Sequence, residues 1–192
     1  MTVNKIFGLG LSKTATTSLA SALKILKYRT NDYPSLKYFP HKLYGIKKHL
    51  LDEYDAFTDI SVIPFYKELD KSYPGSKFIL TIRDIDEWLE SCSKYPRFNW
   101  PLHKVPFKVI KLRQTIYRTV KFDEELFREA YHRHHKDVLD YFKNREDDLL
   151  VVNLCEGNQW EPLVDFLDTD HPEDEFPIKN ARVNNYDGYF VR

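Results

Sequence analysis

One stretch near the N-terminus constrains the fold more than any other part of the sequence. Residues 5–26 read KIFGLGLSKTATTSLASALKIL. The short apolar run from Ile6 and Phe7 into Leu9 is too short for a helix and indicates a buried strand. After it, apolar residues recur at spacings of three and four, which predicts an amphipathic helix; they are Leu19, Ala22, Leu23 and Leu26. The stretch therefore predicts a strand, a tight loop and a helix.

The composition of this loop favours phosphate binding. The first N–H groups of a helix have no intrahelical partner, and they lie where the macrodipole places partial positive charge. Gly8 and Gly10 allow the backbone to approach an anion closely. Lys13 adds a full positive charge, and four hydroxyl side chains add donors; these are Thr14, Thr16, Thr17 and Ser18. We therefore expect the loop to bind phosphate or a phosphate-like group.

The order of residues in the loop distinguishes between classes of phosphate-binding protein. The Walker A motif requires glycine immediately before its lysine, and Ser12 occupies that position. The run 13–19, KTATTSL, instead resembles the 5′-phosphosulfate loop of sulfotransferases, in which small residues and a Thr-Thr or Thr-Ser pair follow a basic residue. Two alternatives stay open: a small-molecule P-loop kinase that uses ATP and Mg²⁺, and a strand-to-helix turn that binds nothing. The resemblance predicts donor contacts from Ser12, Lys13, Thr14, Ala15, Thr16, Thr17 and Ser18.

A second part of the resemblance lies between residues 77 and 91. Residues 78–82 are mostly apolar and β-prone, as in a strand buried on both faces. Arg83 ends this strand, and Ser91 follows eight residues later on the next predicted helix. In sulfotransferases an Arg and a Ser so placed hold the 3′-phosphate of the donor, and guanidinium offers paired planar donors to phosphate. The alternatives are a salt bridge for Arg83 and an ordinary helical position for Ser91.

Asp59 is the candidate general base. Ala56 and Phe57 indicate a short strand that ends in Thr58 and Asp59. A carboxylate at the end of a strand in an α/β sheet stands near the ligand crevice, where it can take a proton from an acceptor hydroxyl. A helix cap is an equally good interpretation of Asp59. Because many sulfotransferases use His or Glu here, His49 and His103 are further candidates.

Composition narrows the class of protein. At 192 residues one domain is expected. Lys plus Arg and Asp plus Glu both total 29, so no global basic field favours nucleic acid. Cys92 and Cys155 lack metal-type spacing, and His132 and His135 lack a third ligand, so we expect no metal. Without a leader-like N-terminus or an apolar run of about 20 residues, we expect a cytoplasmic protein with no membrane partner.

The pattern along the whole chain predicts the architecture. Strands near 4–9, 55–58, 77–82 and 149–154 alternate with helices, which indicates one α/β domain, residues 1–192, with a parallel sheet flanked by helices and a P-loop-like strand-loop-helix. Residues 27–50, rich in Lys, Tyr and His, are expected to form a turn at 31–35 and a solvated helical face, with binding of an acidic ligand by the positive charges as the alternative. Residues 95–122 combine aromatic and basic side chains, and either form a lid that binds the acceptor or a surface helix with apolar anchors.

The resemblance to sulfotransferases covers most of the chain and implies a complete reaction. The donor would be 3′-phosphoadenosine 5′-phosphosulfate (PAPS), and the product 3′-phosphoadenosine 5′-phosphate (PAP). Lys13 would neutralise charge on the leaving bridging oxygen, and Asp59 would activate a hydroxyl or amine of a small-molecule or glycan acceptor. Lys179 and Arg182 are further candidates for donor contact. A third interpretation is a non-catalytic nucleotide-binding relative; the sequence identifies neither the acceptor nor the oligomeric state.

Overall fold

The chain forms a layered α/β structure in a computed structural model that describes residues 4–39, 42–156 and 159–179. The strands are β1 Ile6–Gly8, β2 Thr30–Asp32, β3 Leu36–Phe39, β4 Lys42–Ile46, β5 Ala56–Thr58, β6 Lys77–Thr81 and β7 Leu149–Val152. The α-helices are α1 Thr16–Ile25, α2 Lys48–Glu53, α3 Tyr66–Ser72, α4 Ile85–Ser93, α5 Phe107–Tyr117, α6 Glu124–Phe142 and α7 Trp160–Leu167. Short 3-10 helices span Ile63–Phe65, Pro96–Phe98, Leu102–Lys104 and Glu146–Asp148.

The central sheet has the order β2-β5-β1-β6-β7, and each neighbouring pair is parallel. β1 lies in the middle, with Phe7 opposite Phe57 of β5 and Phe78 of β6. Because parallel strands run in one direction, the segments that follow β5, β1 and β6 leave the sheet at one edge, where ligands bind in open α/β sheets. The predicted parallel α/β sheet is confirmed.

Helices cover both faces of this sheet. On one face α1 and α7 pack against Ile6 and Ile79, and on the other α3 and α6 pack against a layer of phenylalanine rings. In that layer the ring of Phe7 stacks on those of Phe57 and Phe78, with centroids 5.8 Å and 5.4 Å apart. Burial on both sides explains why the sequence of each central strand is apolar rather than alternating.

The prediction of a turn at 31–35 and a solvated helical face across 27–50 is wrong for most of this region. Asn31 and Asp32 lie in β2, which pairs with β5, and the turn begins at Tyr33, whose φ is +57°. β3 and β4 pair as antiparallel strands, and among the described residues of this region only those of α2 are helical. β2 exists because Thr30 is buried beside Ala56, a tertiary contact that overrides the turn preference of Asn and Asp.

The segment 95–122 is anchored in the core near its beginning and near its end. Phe98 and Tyr117 are buried, and the Tyr117 ring stacks on Phe127 of α6 with centroids 4.4 Å apart. Phe98 meets the same ring edge-on at 5.0 Å. This aromatic cluster holds α5 against α6. Residues 102–104, which lie between Phe98 and Tyr117 in the sequence, are exposed.

The described part of the C-terminal tail returns to the start of the fold. Phe176 is buried against Trp160, with ring centroids 5.1 Å apart. The Lys179 backbone N–H donates a hydrogen bond of 3.0 Å to Ser18 Oγ. Arg182 lies outside the described residues. Over those residues, no helix combines the length and apolar character that crossing a bilayer demands.

We predict that Gly10→Ala destabilises the fold, because a Cβ at residue 10 would stand 1.8 Å from Thr81 Oγ1 and 2.6 Å from Thr14 Oγ1. Separating this buried hydroxyl pair should lower the free energy of unfolding by about 1–3 kcal/mol in urea titrations. Gly8→Ala is the comparison, since its nearest atoms, at 3.0 and 3.2 Å, are the ends of two side chains. A Gly10→Ala protein as stable as the Gly8→Ala protein would contradict the packing described here.

Candidate active site

The loop between β1 and α1 has a constrained backbone. Lys13 and Ala15 adopt left-handed conformations with φ of +75° and +64°, which side-chain-bearing residues rarely do. The backbone N–H and the hydroxyl of Thr14 both donate to Leu11 O, at 3.2 and 2.8 Å. α1 then begins at Thr16 with no side-chain cap and no acidic residue in its first turn. Its first N–H groups are therefore available to an anion.

Two aromatic side chains hold the loop at Ser12. Trp88 Nε1 donates a 2.8 Å hydrogen bond to Ser12 O, and Ser12 N–H donates a 3.3 Å bond to the hydroxyl oxygen of Tyr117. Both aromatic side chains are buried. Trp88 and Tyr117 thus fix the backbone of Ser12 through neutral groups. Neither of them places a negative charge beside Lys13.

Two further contacts lie beneath the loop. His134 Nε2 donates to Leu9 O at 2.7 Å, and Thr14 Oγ1 lies 2.7 Å from Thr81 Oγ1. Burial lowers the pKa of His134 to about 4, against a smaller opposing effect of its bond to Leu9. The imidazole is therefore neutral at pH 7, with its proton on Nε2 because a carbonyl oxygen can only accept.

These supporting side chains were missed by sequence reasoning. Trp88, Tyr117 and Thr81 look like ordinary core residues, and nothing local marks their contact with the loop. His134 had a usable signal, because it shares the apolar helical spacing of Phe127, Ala130 and Val138. That spacing places the His134 side chain on the core-facing side of α6.

Lys13 extends toward an aromatic ring rather than a carboxylate. Its Nζ lies 4.9 Å from the centroid of the Tyr95 ring, an arrangement that attracts a cation. Across the part of the chain that the structure describes, no Asp or Glu oxygen lies within the 4.0 Å salt-bridge distance of Lys13. The charge of Lys13 is thus available to a bound anion.

The loop residues predicted to contact the donor divide into a buried group and a partly exposed group. Thr14, Thr16 and Ser18 are buried, and their hydroxyls bond within the protein, to Leu11 and Thr81, to Asp59 and to Lys179 respectively. The other predicted positions are partly exposed; they are Ser12, Lys13, Ala15 and Thr17. The buried group can reach an anion through backbone N–H groups, whereas the exposed group can also use side chains.

Asp59 lies beside this loop, directly after β5. Its φ is +78°, and its carboxylate accepts hydrogen bonds from Ile60 N–H and the Thr16 hydroxyl. Burial, and next the charge of Asp32, raise the pKa of Asp59 to about 7. Asp59 does not cap the next helix, which Val62 precedes without any side-chain cap. A carboxyl with this pKa can accept a proton near neutral pH.

Arg83 lies at the end of β6, on the other side of β1. Its Nε and Nη2 atoms lie 3.3 and 3.2 Å from a Glu87 oxygen. Arg83 follows β6 and Lys13 lies in the loop after β1, and these two strands are parallel neighbours. The two cations therefore leave the sheet at the same edge. Ser91 is partly exposed on α4, one helix turn beyond Glu87.

The remaining candidates lie elsewhere. His49 and His103 are exposed, on α2 and on the 3-10 helix Leu102–Lys104. His135 stacks on Tyr131, with ring centroids 3.8 Å apart, and its Nδ1 bonds to the Tyr131 carbonyl oxygen at 2.7 Å. Among the described residues, no group of three or more His, Cys, Asp or Glu side chains is arranged to hold a metal ion.

Comparison with known proteins identifies the family of this chain. The family model described as a sulfotransferase domain matches residues 5–184. The chain is also similar to Ava biosynthesis cluster protein M of Aspergillus versicolor, with 26% identity over 212 aligned positions that cover 90% of this chain and 79% of the relative. Since the matched region runs from β1 through the described tail and includes the loop, Asp59 and Arg83, this protein belongs to the sulfotransferase-domain family.

Proposed function

We propose that this protein is a PAPS-dependent sulfotransferase that moves a sulfuryl group from PAPS to a hydroxyl or amine of an acceptor. Membership of the family gives the coarser statement, a sulfotransferase-like transferase. One observation supports the more specific proposal of PAPS-dependent transfer. The start of α1 is uncapped, Lys13 lies just before it, and Asp59 lies beside it. An anion site, a positive charge and a base are thus combined around one loop.

Donor binding would use both sides of β1. The N–H groups at the start of α1 and the side chain of Lys13 would hold the 5′-phosphosulfate. Arg83 and Ser91 would hold the 3′-phosphate. The ion pair of Arg83 with Glu87 is no obstacle, because Glu87 is 62% exposed and surface ion pairs of this kind contribute about 0–1 kcal/mol. A phosphate dianion offers the guanidinium a stronger, paired interaction.

The transfer step would be an in-line displacement at sulfur. The acceptor oxygen or nitrogen forms a bond to sulfur, while the bond from sulfur to the bridging phosphate oxygen breaks. The acceptor proton passes to the Asp59 carboxylate, and PAP leaves with the bridging oxygen. Lys13 lies at the loop where this oxygen gains charge, so it would stabilise the transition state more than the ground state.

Binding of PAP tests the proposed function directly. We expect PAP to raise the melting temperature of the protein more than ATP with Mg²⁺ at equal concentration, since a ligand that binds only the folded state stabilises it by mass action. The kinase alternative would give the reverse order. Stabilisation by ATP with Mg²⁺ equal to or above that by PAP would contradict the proposal.

An arginine variant sharpens the same experiment. Arg83→Ala should weaken PAP binding about 10-fold, because it removes charge-assisted bonds to the 3′-phosphate. It should leave the affinity for adenosine 5′-phosphosulfate, which has no 3′-phosphate, unchanged. Arg128→Ala is the matched control, since Arg128 pairs with Asp86 and Glu124 on the surface. Equal losses for both ligands would assign Arg83 another role.

We predict that Asp59→Asn lowers the transfer rate about 10²–10⁴-fold and removes the rise in rate that the wild-type protein shows through about pH 7. The wild-type rate rises there because Asp59 must lose its proton to act as a base. Asp32→Asn is the matched control: Asp32 raises the pKa of Asp59, so this variant should retain activity with a lower midpoint. A normal pH profile in Asp59→Asn would exclude Asp59 as the base.

The Asp59→Asn variant should be less active than wild type but more stable above neutral pH. The folded state binds the Asp59 proton more tightly than the unfolded chain, whose ordinary pKa is near 3.8. Wild-type stability therefore falls as pH rises from about 4 to about 7, because the buried carboxyl must ionise. We expect Asp59→Asn to melt at a higher temperature than wild type at about pH 8, and at a similar temperature below about pH 4.

A further inference from the structure

A buried arginine lies beside the aromatic side chains that adjoin Lys13. Arg113 of α5 is 6% exposed. Its Nη1 donates to the carbonyl oxygens of Arg97 and Val120, at 3.0 and 3.1 Å, and its guanidinium carbon lies 4.7 Å from the centroid of the Phe98 ring. Within residues 4–39, 42–156 and 159–179, no carboxylate lies within 4.0 Å of it. Dipoles and a ring, rather than an opposite charge, surround this cation.

One hydrogen-bond donor of Arg113 is unused. Its Nε is buried and has no hydrogen-bond partner. An unsatisfied buried donor costs about 1–3 kcal/mol, and more when the group is charged; buried charges in proteins are therefore paired as a rule. The two carbonyl contacts explain how Arg113 is positioned, but they leave both its charge and this donor without a matching anion.

Packing connects Arg113 to the reaction site. The Phe98 ring beside the Arg113 guanidinium meets the Tyr95 ring, with centroids 5.4 Å apart, and Lys13 Nζ lies over that Tyr95 ring. Phe98 also shares one buried cluster with Ile60, the residue after Asp59. Arg113 therefore packs against the aromatic side chains that border the space beside Lys13, next to the strand end that carries Asp59.

Aromatic rings and cations alternate around this space. The Tyr95 ring lies between Lys13 Nζ, at 4.9 Å, and the Arg97 guanidinium, at 5.9 Å. Arg97 also lies 6.0 Å from the Trp100 ring. In the proposed reaction Lys13 binds the donor and Asp59 is the base. Arg97 and Arg113 are then two further cations on the side of the acceptor. Flat rings suit an aromatic acceptor, and the buried guanidinium of Arg113 suits an anionic one.

We infer that Arg113, assisted by Arg97, binds an anionic group on an aromatic acceptor, so that the enzyme selects hydroxylated aromatic acids over their neutral analogues. The inference rests on the proposed function and specifies its acceptor class. Guanidinium matches a carboxylate with paired planar donors, and burial strengthens the attraction. The acceptor hydroxyl would then lie at Asp59, while its carboxylate lies at Arg113.

The experiment compares two probes that differ only in charge. Calorimetry would measure the binding of 4-hydroxyphenylacetate and of 4-hydroxyphenylacetamide to the full chain, with and without PAP. We expect wild type to bind the carboxylate about 10-fold more tightly than the amide, as charge-assisted hydrogen bonds predict. Arg113→Gln, which keeps a donor for the carbonyl contacts, should reduce the ratio to about one without changing PAP affinity.

Two more variants complete the design. Arg113→Lys keeps the charge but loses the planar pairing, so it should retain part of the preference and tests the inference even if Arg113→Gln folds poorly. Arg133→Met is the matched control, because Arg133 donates to Ile116 O and its charged neighbours are Arg118, Asp137 and Glu129; it should retain the full preference.

Three outcomes would overturn the inference: equal binding of both probes by wild type, a preference that survives in Arg113→Gln, or a loss of preference in Arg133→Met equal to that in Arg113→Gln. The first two would leave Arg113 with a purely structural role, fastening α5 to its neighbours. Failure of PAP to bind wild type would instead contradict the proposed function, and the comparison of probes without PAP keeps the two failures distinct.

Discussion

The site depends on the parallel alignment of β5, β1 and β6. Because hydrogen bonding between parallel strands fixes their direction, the residues that follow them emerge at one edge of the sheet. This edge brings together Asp59, the loop around Lys13, and Arg83, which are far apart in sequence. Burial of both sheet faces by helices stabilises the alignment, so the site inherits its geometry from the core rather than from contacts among its own polar groups.

The loop itself keeps its shape through neutral contacts. Trp88, Tyr117 and His134 fix the carbonyl or amide groups of Ser12 and Leu9. None of them carries charge at neutral pH, since burial holds His134 in its neutral form. A loop held in this way does not neutralise Lys13 and does not fill the start of α1. Structural support and anion binding therefore use different atoms of the same short segment.

The strand-loop-helix, the parallel sheet and Asp59 beside the loop follow from local sequence patterns, because glycine, helical periodicity and short apolar runs act over a few residues. The local sequence does not predict β2 or the antiparallel pair of β3 and β4, and β2 forms because it pairs with β5. The same holds for Tyr117 and His134, which contact residues 105 and 125 positions away in the sequence. Arg113 looked like one member of a basic segment, and only its burial in the folded chain distinguishes it.

Single-turnover transfer by a Lys13→Ala variant tests the central claim most directly, namely that the loop after β1 stabilises the leaving group of a sulfuryl donor. The account predicts a fall in the rate of the chemical step of about 10²–10³-fold, with an unchanged melting temperature, whereas Lys24→Ala at the other end of α1 should behave as wild type. A Lys13→Ala protein that transfers the sulfuryl group at the wild-type rate would contradict it.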